Sequence, residues 1–139
     1  LGQKSGAGYY RYDPETRARQ EDPAVADIVE ATRAELGITP RDIGAEEIVD
    51  RLTLALANEG ARILDEGIAQ RASDIDVVYC HGYGFPRFRG GPMHAAEARG
   101  LQSVADRIER FQQTLDPENW VLAPLLKRLS SNGGSLKDV

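Results

Sequence analysis

The sequence predicts an all-α domain of five to six helices around one long central helix, preceded by an extended N-terminal arm. Three observations carry this. Apolar residues recur at helical spacing through most of residues 22–134. Prolines and glycines stand where helices would begin and end, as in "DPAVADIVEATRAELG". No run of alternating apolar and polar residues suggests a sheet.

With 139 residues the chain reads as a single domain, 1–139, long enough to bury a core without staples. Within it an arm and loop cover 1–21, a helical body 22–134 and a polar tail 135–139. Hydrophobic residues make up 41% and charged residues 28%, which suits a globular chain rather than a disordered one. A net charge of −5 argues against a nucleic-acid surface, which needs a basic field. The single cysteine, Cys80, excludes an intramolecular disulfide, and no Cys/His cluster has zinc spacing. No apolar run is long enough for a membrane span, and no signal peptide is seen. The chain opens at "LGQKSGAG" without an initiator Met, which reads as a fragment or a processed piece.

Residues 1–8 are glycine-rich and polar. "YYRYD" follows as an extended arm with Tyr10 and Tyr12 on one face and Tyr9 on the other, and "PETRARQ" is a charged loop. The first helix takes Asp22 as N-cap, Pro23 at its first position and Gly37 just past its end. Its inward face is Val25, Ile28, Val29, Thr32 and Leu36. The second helix, from about Ala45 to Gly67, is the longest. At about 100° per residue it carries two apolar stripes. One holds Ile48, Leu52, Ala55, Leu56 and Ile63; the other holds Leu54, Ala57, Ala61, Leu64 and Ile68. A narrow polar stripe of Glu47, Arg51, Asn58, Arg62 and Asp65 lies between them. A helix apolar on two sides is sandwiched, so this is taken as the central helix. "SDIDVVYC" starts a short helix at Ser73, with Asp74 and Asp76 capping its first turn. Another short helix begins at Pro92 and closes at Gly100; "LQSVADRIERFQQTL" is amphipathic; Pro124 opens a final helix ending at Gly133-Gly134.

The most unusual stretch is "HGYGFPRFRGGP", His81 to Pro92. Its glycines do not form a dinucleotide fingerprint, because no strand precedes them and the third glycine is not at the required spacing. No Gly-Lys-Ser/Thr of a phosphate loop is present either. Arg87 and Arg89 would suit a phosphate, or equally a loop tied to carboxylates and helix ends; the spacing leaves both open. Phe85 and Phe88 are expected to reach the core. His81 and His94 sit in no nucleophile or metal pattern, and Cys80 reads as a small packed hydrophobe. Glu59 lies in the middle of the Leu52–Ile63 stripe, which predicts a buried carboxylate with a partner outside its own helix. The expected partners are backbone N–H groups or an arginine of the Phe85–Pro92 loop, with Gly90 and Gly91 permitting the approach.

Several of these segments together form a known order. They are Lys4-x-Gly6-x-Gly8-Tyr9-Tyr10, Asn58-Glu59-Gly60-Ala61, Glu66-Gly67-Ile68-Ala69, Asp74-Ile75-Asp76, Gly82-Tyr83-Gly84-Phe85-Pro86 and Arg89-Gly90-Gly91-Pro92. The chain resembles the C-terminal helical domain of 3-hydroxyacyl-CoA dehydrogenases, most closely the last domain of the multifunctional fatty-acid oxidation enzymes, from Leu1 to about Gly134. The resemblance implies a helical fold of the 6-phosphogluconate dehydrogenase C-terminal type. It implies a parent enzyme in fatty-acid β-oxidation that uses NAD, bound on a Rossmann domain upstream together with the catalytic histidine and glutamate. No catalytic, cofactor-binding or metal residue carries over to this chain. The expected partners are the Rossmann domain and first helical domain of the parent, acyl-CoA in the parent, and a second copy of the fragment when alone. Asn58, Glu59, Arg89, Gly90 and Gly91 are the candidate structural anchors; Lys4 and Arg87 are candidate contacts for a phosphate or CoA. The expected location is cytoplasmic, or peroxisomal in a eukaryote. The alternatives are a free-standing module binding acyl-CoA or a protein, and a lone enzyme using Glu59 and a histidine.

Overall fold

The computed structural model describes residues 2–139 and is mostly helical. Leu1, where the resemblance begins, lies outside the described residues. The chain divides into two compact units, one ending at Asp42 and the other beginning at Ile43, so the division falls inside the span expected to be one helical body.

The first unit holds a 3-10 turn at Gln3–Ser5, strands β1 (Tyr10–Tyr12) and β2 (Arg19–Glu21), and helix α1 (Pro23–Glu35). The strands pair antiparallel, Tyr10 opposite Glu21 and Tyr12 opposite Arg19, where a charged loop was expected. A polar three-residue strand has no alternation to betray it. The turn makes the hairpin instead: Asp13 Oδ1 accepts from the amides of Glu15 at 3.0 Å and Thr16 at 2.7 Å, and Arg17 stands at φ +60°. The Arg19 guanidinium then lies 5.0 Å from the Tyr10 ring centre. Helix α1 begins as its capping residues dictate, with Asp22 Oδ1 accepting from Ala24 N at 3.2 Å and Pro23 at the first position. Its supposed inward face is uncovered. No residue of α1 is buried, and Ile28 and Leu36 are 64% and 65% exposed.

The second unit holds α2 (Ala45–Asp65), α3 (Ala72–Gly82), a 3-10 turn at Arg87–Arg89, α4 (Pro92–Arg99), α5 (Leu101–Thr114), α6 (Pro124–Asn132) and a last 3-10 turn at Leu136–Asp138. Helix α2 is its centre and packs on α3, α4 and α6. It buries Leu54, Ala57, Ala61 and Leu64, while α5 adds Leu101, Val104, Ile108 and Phe111 and α6 adds Leu125 and Leu126. Burying each large apolar side chain contributes about 1.5–3 kcal/mol. Small residues set the approach of the helices: a Cβ at Gly60 would overlap the sulfur of Met93 on α4. Phe111 and Trp120 meet with ring centres 4.8 Å apart. The tail is less polar in its role than its composition suggests. Leu136 is 1% exposed, and its amide donates to Glu97 Oε2 at 2.9 Å. Among the described residues no helix is long and apolar enough to cross a membrane.

Candidate functional site

Helix α2 was expected to be covered on both apolar sides, and it is covered on one. Leu54, Ala57, Ala61 and Leu64 face the core, whereas Ile48 and Leu52 are 47% and 66% exposed. The two stripes are nearly opposite on the helix; of the first, Ile48 and Leu52 stand open while Leu56 is half-buried and Ile63 packs against the core. Glu59 belongs to the open stripe. Contrary to expectation it is not buried: its side chain is 64% exposed and its carboxylate pairs with Arg62, three residues on in its own helix, at 3.2 Å. It takes no partner from the Phe85–Pro92 loop. The helical turn that aligns Glu59 with Leu52 and Ile48 also turns it away from the core.

The carboxylate that does meet that loop is Asp76. Its two oxygens accept from the amides of Met93 at 2.7 Å and His94 at 3.0 Å, the first free donors of α4. Asp76 therefore caps a different helix from the one it was expected to start. Burial raises its pKa above the ordinary carboxylate value, against the two amides, which lower it. Gly91 makes the approach possible: at φ +107° any added Cβ would run into the Asp76 carboxylate. Gly90, at φ +79°, closes the 3-10 turn, and a Cβ there would overlap the His94 ring. Asp74 pairs with Arg71 at 2.8 Å instead of capping.

Two further polar groups tie α2 into its unit. Asn58 is 4% exposed; its Nδ2 donates to the Val121 carbonyl at 2.8 Å and its Oδ1 accepts from Ala123 N at 2.8 Å, which fixes the entry to α6. Asp50, also 4% exposed, accepts from Arg99 of α4 at 2.5 Å and Arg107 of α5 at 2.9 Å. The hydrogen bond from Arg99 holds the Asp50 pKa below the ordinary carboxylate value, with smaller help from Arg107. Sequence reasoning passed over Asp50. Its signal was register, since residues 50, 54, 57 and 61 lie on one face, and a carboxylate there must be paired.

The remaining candidates divide between the two units. Lys4, Arg87 and Arg89 are exposed, Lys4 in the first unit and the arginines at the α3–α4 corner. The Arg89 guanidinium lies 5.5 Å from the ring centre of Phe88. Phe88 was expected in the core and is 85% exposed, because the Arg87–Arg89 turn points it outward; Phe85 is half-buried. Ser73, Asp76, Cys80, His81 and His94 share a hollow of about 450 Å³. Both Asp76 oxygens there accept from amides, and no hydrogen bond joins this carboxylate to a histidine ring. A larger cleft of about 740 Å³ lies between α2, the corner and α4.

Comparison with known proteins places this arrangement. Over 135 residues the chain is 46% identical to the peroxisomal bifunctional enzyme of Danio rerio, covering 96% of this chain and 19% of that protein. The corresponding human protein is 42% identical over the same shares. The peroxisomal fatty acid beta-oxidation multifunctional protein AIM1 of Arabidopsis thaliana is 34% identical over 81% of this chain and 16% of its own length. The chain thus spans about a fifth of the length of the relatives it matches. The crystal structure of the dehydrogenase part of multifunctional enzyme 1 from C. elegans superposes with a TM-score of 0.66 at 26% identity, over 92% of this chain and 29% of that one. Residues 48–137, which hold α2 from Ile48 onward, the corner and the helices packed on them, match the family described as 3-hydroxyacyl-CoA dehydrogenase, C-terminal domain, and the chain belongs to that family.

Proposed function

We propose that residues 1–139 act as one C-terminal-type domain of a larger NAD-dependent 3-hydroxyacyl-CoA dehydrogenase of fatty-acid β-oxidation, and that this domain packs and encloses instead of catalysing. The observation that carries the reading is the open apolar face at the start of α2, with Ile48 and Leu52 47% and 66% exposed on a helix whose opposite side buries Leu54, Ala57, Ala61 and Leu64. An apolar helix face of that kind is suited to another helix. In the parent its occupant is the first helical domain, and the pair helps to enclose the acyl-CoA site, while NAD and the reacting groups belong to the Rossmann domain. The names of the relatives and the small share of their length that this chain covers support such a parent. They also favour the peroxisomal location over the cytoplasmic one. Without its parent, the chain offers the same face to a second copy of itself, most simply about a two-fold axis.

Sedimentation velocity tests this. The chain is expected to associate as its concentration rises, and Leu52→Glu is expected to abolish association without lowering the melting temperature. A wild-type chain that stays monomeric at every concentration removes the interface from α2.

A further inference from the structure

The cleft between α2 and α4 is not part of the open α2 face described above. Its floor is apolar and mostly small: Pro92, Ala95 and Ala96 of α4 oppose Val49 and Leu54 of α2. Its volume, about 740 Å³, is that of sites which hold small molecules. An α-helix about 10 Å across would fill such a space with fewer than two turns, so the cleft is short for a docked helix. One end is closed by the corner, where Phe88 is 85% exposed and Arg89 lies over its ring at 5.5 Å.

Charge distinguishes this cleft from the rest of the surface. Its charged wall residues are Asp50, Arg89 and Arg99, a sum of +1 in a chain of net charge −5. Asp50 is already answered by Arg99 and Arg107, so its carboxylate repels an incoming anion little. Arg89 makes no ion pair among the described residues, and its contact is with the Phe88 ring. An apolar trough with one uncommitted guanidinium at its mouth is complementary to an apolar chain with one anionic end.

We propose that this cleft binds a single-chain aliphatic carboxylate, its hydrocarbon along Val49, Leu54 and Ala95 and its head group on Arg89. Each methylene withdrawn from water raises affinity about fourfold, so chain length sets the strength and Arg89 sets the orientation.

Calorimetric titration of the chain with decanoate tests the proposal, with decanol as the headless probe. Decanoate is expected to saturate at one per chain. Arg89→Ala, a change at an exposed position, is expected to weaken it about 5- to 10-fold and to leave decanol binding unchanged. Ala98→Phe, at an exposed position on the lip of the cleft, is expected to block both ligands while the chain keeps its melting temperature. Absence of saturable decanoate binding overturns the proposal, as does binding indifferent to both substitutions. If decanoate fails to bind while Ala98→Phe alters sedimentation, the cleft is a protein-docking surface and the proposal is likewise overturned. Leu52→Glu separates the two ideas, because it is expected to change association and leave decanoate affinity alone.

Discussion

At Gly91 the backbone stands at φ +107° and the Asp76 carboxylate occupies the space where a side chain would begin. Gly91→Ala is therefore expected to cost about 3 kcal/mol, from backbone strain and from displacement of the carboxylate. Asp76→Ala, which strips the α4 amides of their acceptor, is expected to cost about 2 kcal/mol. Because the two act on one contact, the double variant is expected to lose less than the sum; urea denaturation of the parent and the three variants measures the coupling. Strict additivity would mean that the contact is not shared. Asp50 gives a pH prediction. Its folded pKa is below the ordinary 3.8, so its contribution is complete above that value and is lost as pH falls through the lower folded value. The stability gap between the parent and Asp50→Asn is expected to be constant from about pH 5 upward and to close in acid. Glu59 behaves differently. As an exposed partner of Arg62, its replacement by Ala is expected to shift stability by no more than about 0.5 kcal/mol, and a large loss in thermal melting would contradict its placement.

At the scale of the element, the periodicity of α2 predicts cover on both stripes, whereas Ile48 and Leu52 stand open, Ile63 of the same stripe packs against the core, and Ile68 of the other stripe is 71% exposed. Leu52 and Leu54 illustrate the point, being 66% and 2% exposed two residues apart. Leu54→Ala is expected to cost about 2–5 kcal/mol, as deletions from a packed core do. Leu52→Ala is expected to cost less than about 0.5 kcal/mol in the same urea titration, since it removes no contact with the core. Equal losses would require α2 to be covered on both sides. Capping explains where prediction from sequence succeeded. Asp22 and Pro23 start α1, Pro124 starts α6, and Gly133 at φ +65° ends α6, because each acts on its own chain neighbours. The β1–β2 hairpin was missed for the complementary reason: β1 was read as extended, but its partner β2, Arg-Gln-Glu, is too short and polar to carry a pattern.

For the whole molecule the prediction concerns activity. Nothing in the sequence forms a nicotinamide fingerprint. The purified chain is expected to form no NADH from a 3-hydroxyacyl-CoA and NAD, whatever its state of association. A rate above the enzyme-free blank would place chemistry in this chain and overturn the packing role proposed for it.

The sequence alone determined the helical class, the helix starts and stops, and the family, because these depend on periodicity, on local capping and on a set of short motifs read in order. Its reading of Glu59 as the carboxylate that meets the glycine corner failed. Only the tertiary structure decided that this carboxylate is Asp76 and that Glu59 faces outward. It likewise decided that Asp50 joins three helices and that Leu136 closes the core. The physical reason is one of range. A cap or a turn is satisfied within a few residues, so its partners stand side by side in the sequence. Which face of α2 is buried, and which acid accepts from the α4 amides, depend on segments brought together from 17 or more residues away, and no local pattern records that meeting.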